Sequence, residues 1–293
     1  MYIILLGIAS AFFFGCHAIL VRFGLQGSNP MSATLVSTLV NCVFLWGLAL
    51  LLVPLGAVDG EALKYLVIAG IIAPCLARFF MYTSFQKVGV SIATPIRSTF
   101  PFFSILPAVL ILKEQFTVFV AVATLLTAAG VVLLSMSSAE KVKLPTQLQW
   151  RRKDLLYPFA GAMCYGVSNF FKKLGIAHVD SSLLGAAIVA TASLAFFLIL
   201  WPVTSGKNGW RLGRGSLAYI SLGGICAGIA QICMYAALKS GDLIIVGPLV
   251  STTPLFTLAL TYVFLRKSEK LTVRVLGGAA AIVAGVVILK VMS

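Results

Sequence analysis

Apolar residues run along this chain in long blocks, and polar residues gather into short breaks between them. A helix needs about 20 mostly apolar residues to cross the hydrocarbon of a bilayer, which is the length of these blocks. The pattern predicts ten spans, near residues 2–21, 31–53, 64–87, 90–112, 117–137, 154–174, 182–203, 215–239, 243–266 and 272–292. The breaks hold helix-stopping or charged residues: "QGSNP" at 26–30, Pro54 to Gly60, "KVG" at 87–89 and "KEQ" at 113–115. The longest is polar and divides the chain into a first block at 1–137, a linker at 138–153 and a second block at 154–293. Connections this short make successive helices antiparallel neighbours.

The two blocks repeat each other. At an offset of 153 residues "ATPIRSTFPFF" (93–103) aligns with "VGPLVSTTPLF" (246–256), matching Pro95 to Pro248, Ser98 to Ser251, Thr99 to Thr252, Pro101 to Pro254 and Phe103 to Phe256. Near the start of each block the offset is 151, pairing Gly15 with Gly166, Arg22 with Lys173 and Gly24 with Gly175. "AAGVVLL" (128–134) meets "VAGVVIL" (283–289) near their ends. Five helices is an odd number, so the second block enters the membrane with the opposite orientation. Inverted repeats of this kind are a common architecture of secondary transporters, with the substrate site near the midplane at the repeat interface. The expected fold class is an all-α polytopic membrane protein of ten transmembrane helices, two inverted five-helix repeats around a central cavity.

Composition agrees. Of 293 residues, 60% are hydrophobic and 10% charged, against roughly a quarter charged in soluble domains, and the mean hydropathy is +1.05. A water-soluble enzyme is excluded. The net charge of +14 sits mostly in loops, as topology and membrane-surface charges do, so no nucleic-acid partner is implied. The six Cys lie in apolar runs without a CxxC pair and read as small core residues rather than disulfides or metal ligands. No cofactor is expected. The N-terminal run lacks a basic n-region and is long for a signal-peptide core, so it reads as a retained first helix.

Ten helices as five plus five, the "P-L/I-x-S-T-x-P-x-F" element of spans four and nine, and the "A-G-V-V-L/I-L" ending of spans five and ten resemble the drug/metabolite transporter superfamily, EamA type. The resemblance covers the whole chain. It implies a secondary transporter in the prokaryotic inner or plasma membrane, a monomer or homodimer, with a cavity lined mainly by spans one, three, four, six, eight and nine and worked by alternating access. Spans five and ten would pack peripherally.

Charges inside the spans point to the cargo. All eight acidic residues fall in loops or at span ends, and the middle of span one reads "FFFGCHA". The carboxylate that small multidrug relatives place there is missing, which disfavours a cation exporter. Arg78 and Arg97 do lie deep, nine residues before Lys87 and eight after Gly89, hence both about 12–13 Å below the same turn at 1.5 Å per residue. A basic residue at the bilayer centre costs about 2.5–3.5 kcal/mol on insertion scales and normally faces a cavity and a partner. The guanidinium fork suits carboxylate, sulfonate or phosphate. The expected substrate is therefore a small organic anion or amino acid; bracing of helix breaks by the arginines is the structural alternative.

Gln231 and Val250 occupy the repeat positions of Arg78 and Arg97, and Tyr82 pairs with Tyr235 one turn away. Tyr165 and Asn169, four apart on span six, share one face. His17 on span one is a group able to titrate near neutral pH, with a hydrogen-bonded structural role as the alternative. Pro95, Pro101, Pro248 and Pro254 each remove an intrahelical bond and are candidate hinges, or static kinks. The small residues Gly277, Ala281 and Gly285, and Gly224 with Gly228, favour close helix approach. Fourteen loop Lys and Arg lie opposite the termini and six on the termini side (Lys64, Lys113, Lys172, Lys173, Lys239 and Lys290), which the positive-inside rule reads as both termini outside. A second reading is an exporter of neutral or aromatic metabolites or drugs, with structural arginines and with Phe12, Phe13, Phe14, Phe79 and Phe80 lining the path.

Overall fold

A computed structural model describes residues 1–54, 58–77, 80, 83–84, 87–88, 96–97, 99–139, 152–204, 210–264 and 273–292. Eleven helices are labelled here: α1 (Tyr2–Gly24), α2 (Pro30–Leu52), α3 (Gly60–Gly70), α4 (Phe100–Leu110), α5 (Val118–Ala139), α6 (Leu156–Ala177), α7 (Ser182–Thr204), α8 (Arg214–Ser240), α9 (Leu243–Ser251), α10 (Thr253–Phe264) and α11 (Val273–Met292). Among the described residues there is no strand, only an isolated bridge between Ser28 and Leu212. The helix starts follow local chemistry. Asn29 caps α2 by accepting from the Ser32 N–H at 2.8 Å, with Pro30 in the first turn, and Asp59 caps α3 by accepting from the Glu61 N–H. Both devices satisfy N–H groups that have no partner inside the helix.

Among the described residues, five stretches are long and apolar enough to cross a membrane: Tyr2–Gly27, Met31–Leu52, Ser182–Pro202, Arg214–Ser240 and Leu243–Leu260. The protein is an all-α, multi-pass integral membrane protein. Span three continues past α3 as a π-helical segment, Ile71–Leu76, around Pro74, with Ala73 in an extended conformation. Broken backbone at membrane depth needs partners from the protein. The Ser168 hydroxyl supplies one, its single O–H shared between the carbonyls of Ala69 at 2.9 Å and Ala73 at 3.3 Å.

The helices pack by one scheme used twice. α1 lies on α8, and its counterpart α6 lies on α3; α2 packs on α8 as α7 packs on α3; α1 meets α10 as α6 meets α4. α5 and α11, equivalent in the two halves, pack chiefly against each other, and α2 packs on its own equivalent α7. Repeat-related glycines make these crossings close. A Cβ on Gly15 would stand 3.1 Å from the Phe256 Cβ, and one on Gly166 would stand 2.5 Å from the Phe103 Cβ and 2.6 Å from the Phe100 carbonyl oxygen. Gly166→Ala is therefore expected to destabilise the fold by about 1–3 kcal/mol through overpacking, seen as a lower Tm in detergent; an unchanged Tm would contradict this packing.

Of the two small-residue sets, one packs as expected and the other in part. Gly224 and Gly228 do serve internal packing, against α2 at Ser37, Val40 and Phe44. On α11, however, Gly277 meets no neighbour, and the residues turned to α5 are Gly278, Ile282 and Gly285. Gly285 thus makes the expected close approach, while Gly278 rather than Gly277 makes the other.

Candidate functional site

A polar stripe runs down the inner face of α6. Tyr165, Asn169 and Lys172 are four and three residues apart, so they project from one side of the helix. The Lys172 ammonium donates to Asn169 Oδ1 at 3.1 Å and lies 5.3 Å from the centre of the Tyr165 ring. The Arg97 guanidinium lies 5.4 Å from the centre of that same ring, and Phe100, near the start of α4, tilts against it at 5.4 Å. One aromatic ring thus carries two cations, an arrangement in which its negative faces offset part of the cost of bringing like charges together. Accessibility falls along the stripe. Arg97 is exposed, Tyr165 half-buried and Asn169 buried, while Lys172 is only 4% exposed.

Lys172 departs from its expected place. The sequence pattern puts it beside Lys173 among the charges of the termini side, yet its ammonium is inside the bundle, turned along α6 toward Asn169. Adjacent helical residues point about 100° apart, so the two lysines diverge. Lys173 instead donates to the carbonyls of Leu238 at 2.7 Å and Gly241 at 2.6 Å.

Of the other expected site residues, Tyr235 on α8 is fully buried, and its hydroxyl has no hydrogen-bond partner among the described residues. Gln231 is half-buried one turn earlier on the same helix. His17 Nδ1 is 2.9 Å from the Gly223 carbonyl oxygen and donates to it, joining α1 to α8. Arg78, Tyr82 and Pro95 lie outside the described residues.

The signature shared by spans four and nine forms the same break in both. The Thr99 N–H donates to the Ile96 carbonyl at 3.1 Å, its hydroxyl to that same carbonyl at 2.6 Å, and the Phe102 N–H to the Thr99 carbonyl at 3.1 Å. At Thr252 the corresponding bonds run to Leu249 at 3.2 and 2.7 Å, and from the Leu255 N–H at 2.9 Å. Pro101 and Pro254 follow two residues later, where each lacks the N–H that would continue the preceding helix. Pro248 lies inside α9, and the Ser251 hydroxyl donates to its carbonyl at 2.7 Å.

The end of the bundle holding the α6–α7 and α8–α9 turns is tied by charged side chains on main-chain groups. Glu114 accepts from the N–H groups of Leu243 at 2.9 Å and Ile244 at 3.0 Å, so a carboxylate from the first half caps the first turn of α9. Charge there complements the positive helix N-terminus. Burial pushes the Glu114 carboxyl above its ordinary range; the two N–H bonds and Lys173 pull it back, while Asp242 adds to the rise. Lys239 donates to the carbonyls of Val179 and Asp180, and His178 pairs with Asp59 at 3.8 Å.

Comparison with known proteins agrees with this architecture. The sequence pattern of the EamA-like transporter family matches residues 1–136 and again 153–291. The chain belongs to the EamA-like transporter family. An uncharacterized transporter of Archaeoglobus fulgidus is 24% identical over 289 residues, 98% of this chain and 97% of that one. An uncharacterized protein of Methanocaldococcus jannaschii is 30% identical over 130 residues, 44% of this chain and 90% of its own length. A crystal structure at 17% identity superposes with a TM-score of 0.80 over 99% of this chain and 96% of the other. The EamA-like chain is thus a membrane transporter of the drug/metabolite transporter superfamily rather than an enzyme.

Within this EamA-like fold, the polar stripe of α6 is one-sided. By the offset of 151 residues, Tyr165, Asn169 and Lys172 correspond to Phe14, Ala18 and Val21 of α1. The repeat that builds the fold therefore leaves this stripe in the second half, and Arg97 reaches it from the first. Among the described residues, no group of His, Cys, Asp and Glu could hold a metal ion. Sequence reasoning missed Lys172 and Glu114. The spacing of Tyr165, Asn169 and Lys172 on one helical face was the available signal for the first; nothing local marked the second, whose partners are 129 and 130 residues away.

Proposed function

We propose that this transporter carries a small organic anion, or an amino acid held by its carboxylate, by alternating access. The observation that carries the reading is the pair of cations on the Tyr165 ring, in a chain whose eight acidic residues all fall in the polar breaks of the sequence or at the ends of its predicted spans. A substrate anion approaches the exposed Arg97 first and then meets the buried Lys172 and the Asn169 amide, with the unpartnered Tyr235 hydroxyl as a further donor. Charge-assisted bonds of this kind are the strong ones, and a low local dielectric strengthens them. Arg78 and Tyr82 join the site in this reading.

The two blocks, 1–137 and 154–293, rock against each other about the breaks at Thr99 and Thr252, with Pro95, Pro101, Pro248 and Pro254 as the hinge residues. Glu114, Lys173 and Lys239 hold one end shut while the site faces the other. Transport of neutral aromatic metabolites is the competing reading, favoured by the Phe100 and Tyr165 rings.

Counterflow in proteoliposomes against carboxylates, sulfonates, phosphate esters and size-matched neutral aromatics separates the two. Anions exchange and neutral aromatics do not, if the proposal holds; the reverse result overturns it. Arg97→Gln is expected to raise KM about fivefold, corresponding to about 1 kcal/mol for a solvent-screened pair, with kcat little changed.

A further inference from the structure

A second feature of the fold is unrelated to the polar stripe. α3 and α7 cross where a Cβ on Gly70 would stand 2.7 Å from the Val189 carbonyl oxygen and 2.8 Å from the Ala192 Cβ. Beside that crossing, α2, α3 and α7 leave a groove of about 510 Å³ that contains none of the polar-site residues. Its walls are Leu63 and Val67 of α3 and Ile71 at the start of the π-helical segment, spaced four residues apart, with Ile188 and Ile199 of α7 and Trp46 of α2.

The chemistry of the walls restricts the occupant. Two polar side chains line the groove, and they are spent on protein groups: Trp46 Nε1 donates to Thr191 Oγ1 at 2.7 Å, and that hydroxyl donates to the Ala187 carbonyl at 2.9 Å. A water needs two to four polar partners to stay in a cavity, and a polar metabolite needs more. An unfilled groove would forfeit dispersion contacts along both walls.

The bilayer itself reaches the opening. Leu63 and Ile199, which line the groove, are 46% and 70% exposed, and in a membrane protein such surface faces lipid. On α7 the lining runs from Leu184 to Ile199, about 22 Å at 1.5 Å per residue, against about 30 Å for the whole hydrocarbon core. Near Leu63 the groove reaches Val58, next to the exposed Asp59–His178 pair. It therefore starts beside a charged surface pair, at the depth expected of headgroups, and continues inward between apolar walls.

We propose that this groove is a binding site for one acyl chain of a membrane phospholipid, entering at Val58 and Leu63 and lying along Ile188 to Ile199. The chain packs on Ile71, where the π-helical break of span three begins. Occupancy thereby braces the segment whose carbonyls are held by Ser168, the neighbour of Asn169.

Trp46 provides the probe. With Trp150, Trp201 and Trp210 changed to Phe, the full-length protein is reconstituted in phosphatidylcholine vesicles containing increasing fractions of dibrominated phosphatidylcholine. Trp46 quenching is expected to saturate at a low fraction of brominated lipid, and Ala195→Phe or Val67→Phe, which fill the groove, should cut it at least threefold. Quenching that only tracks the bulk brominated fraction, or that is as strong in both filled variants as in the single-Trp parent, overturns the proposal. The titration of the single-Trp parent decides by itself if either filled variant fails to fold.

Discussion

Lys172→Gln is expected to lower transport at subsaturating anion concentration by about 30- to 100-fold, the equivalent of about 2–3 kcal/mol for a lost charge-assisted bond. The same variant is expected to keep or raise the Tm of the ligand-free protein, because it replaces an ammonium that is 4% exposed by a neutral amide and so removes a desolvation cost. Stability and transport therefore move apart, which loss of fold cannot mimic. Thermal shift with and without the transported anion checks both: the wild type gains Tm on binding and the variant does not. An equal ligand-induced shift in Lys172→Gln would remove this residue from the site and leave Arg97 as the described cation.

The second large effect is expected at Glu114. Ala in its place strands the Leu243 and Ile244 N–H groups at the tied end of the bundle, at about 1–3 kcal/mol for unsatisfied donors. That converts to roughly a 10- to 100-fold shift toward the opened end. Labelling of Ile244→Cys by an impermeant maleimide, with the six native cysteines replaced, reads this directly. Glu114→Gln keeps a carbonyl acceptor and should label nearly as slowly as the parent. The pH dependence has a definite sign. The carboxyl is raised above its ordinary range when the end is tied, so proton binding favours the tied form. Labelling is slowest below the ordinary carboxylate range and quickens as pH rises through the raised value. Equal labelling of parent and Ala variant would show that this contact does not hold the end shut.

Much of this architecture was readable because it depends on local rules. Long apolar blocks predict the helices, and the offset of 153 residues predicts that whatever Thr99 does, Thr252 does also; both bond back three residues and start a new helix two residues before a proline. The multi-pass fold and the EamA family follow from the same signals. What resisted reading depends on rotation and on distant partners. Lys172 and Lys173 look like one surface doublet until α6 is set against α8, which draws Lys173 onto the Leu238 and Gly241 carbonyls and turns Lys172 inward. The α11 stripe was right at Gly285 and off by one residue at its start, where Gly278 rather than Gly277 meets α5. Span nine read as one helix, because its apolar content is continuous across the Thr252 break.

The twofold use of one packing scheme also bears on how such a chain can be cut. α5 packs on α11 and α2 on α7, each on its own counterpart, so a single half displays much of the complement to itself. That is the condition for an isologous interface, in which two copies of one surface satisfy each other. Severing the chain within 138–153 would turn a covalent tether into an association set by protein density in the bilayer. The two pieces, made from separate messages, can then find each other as subunits do.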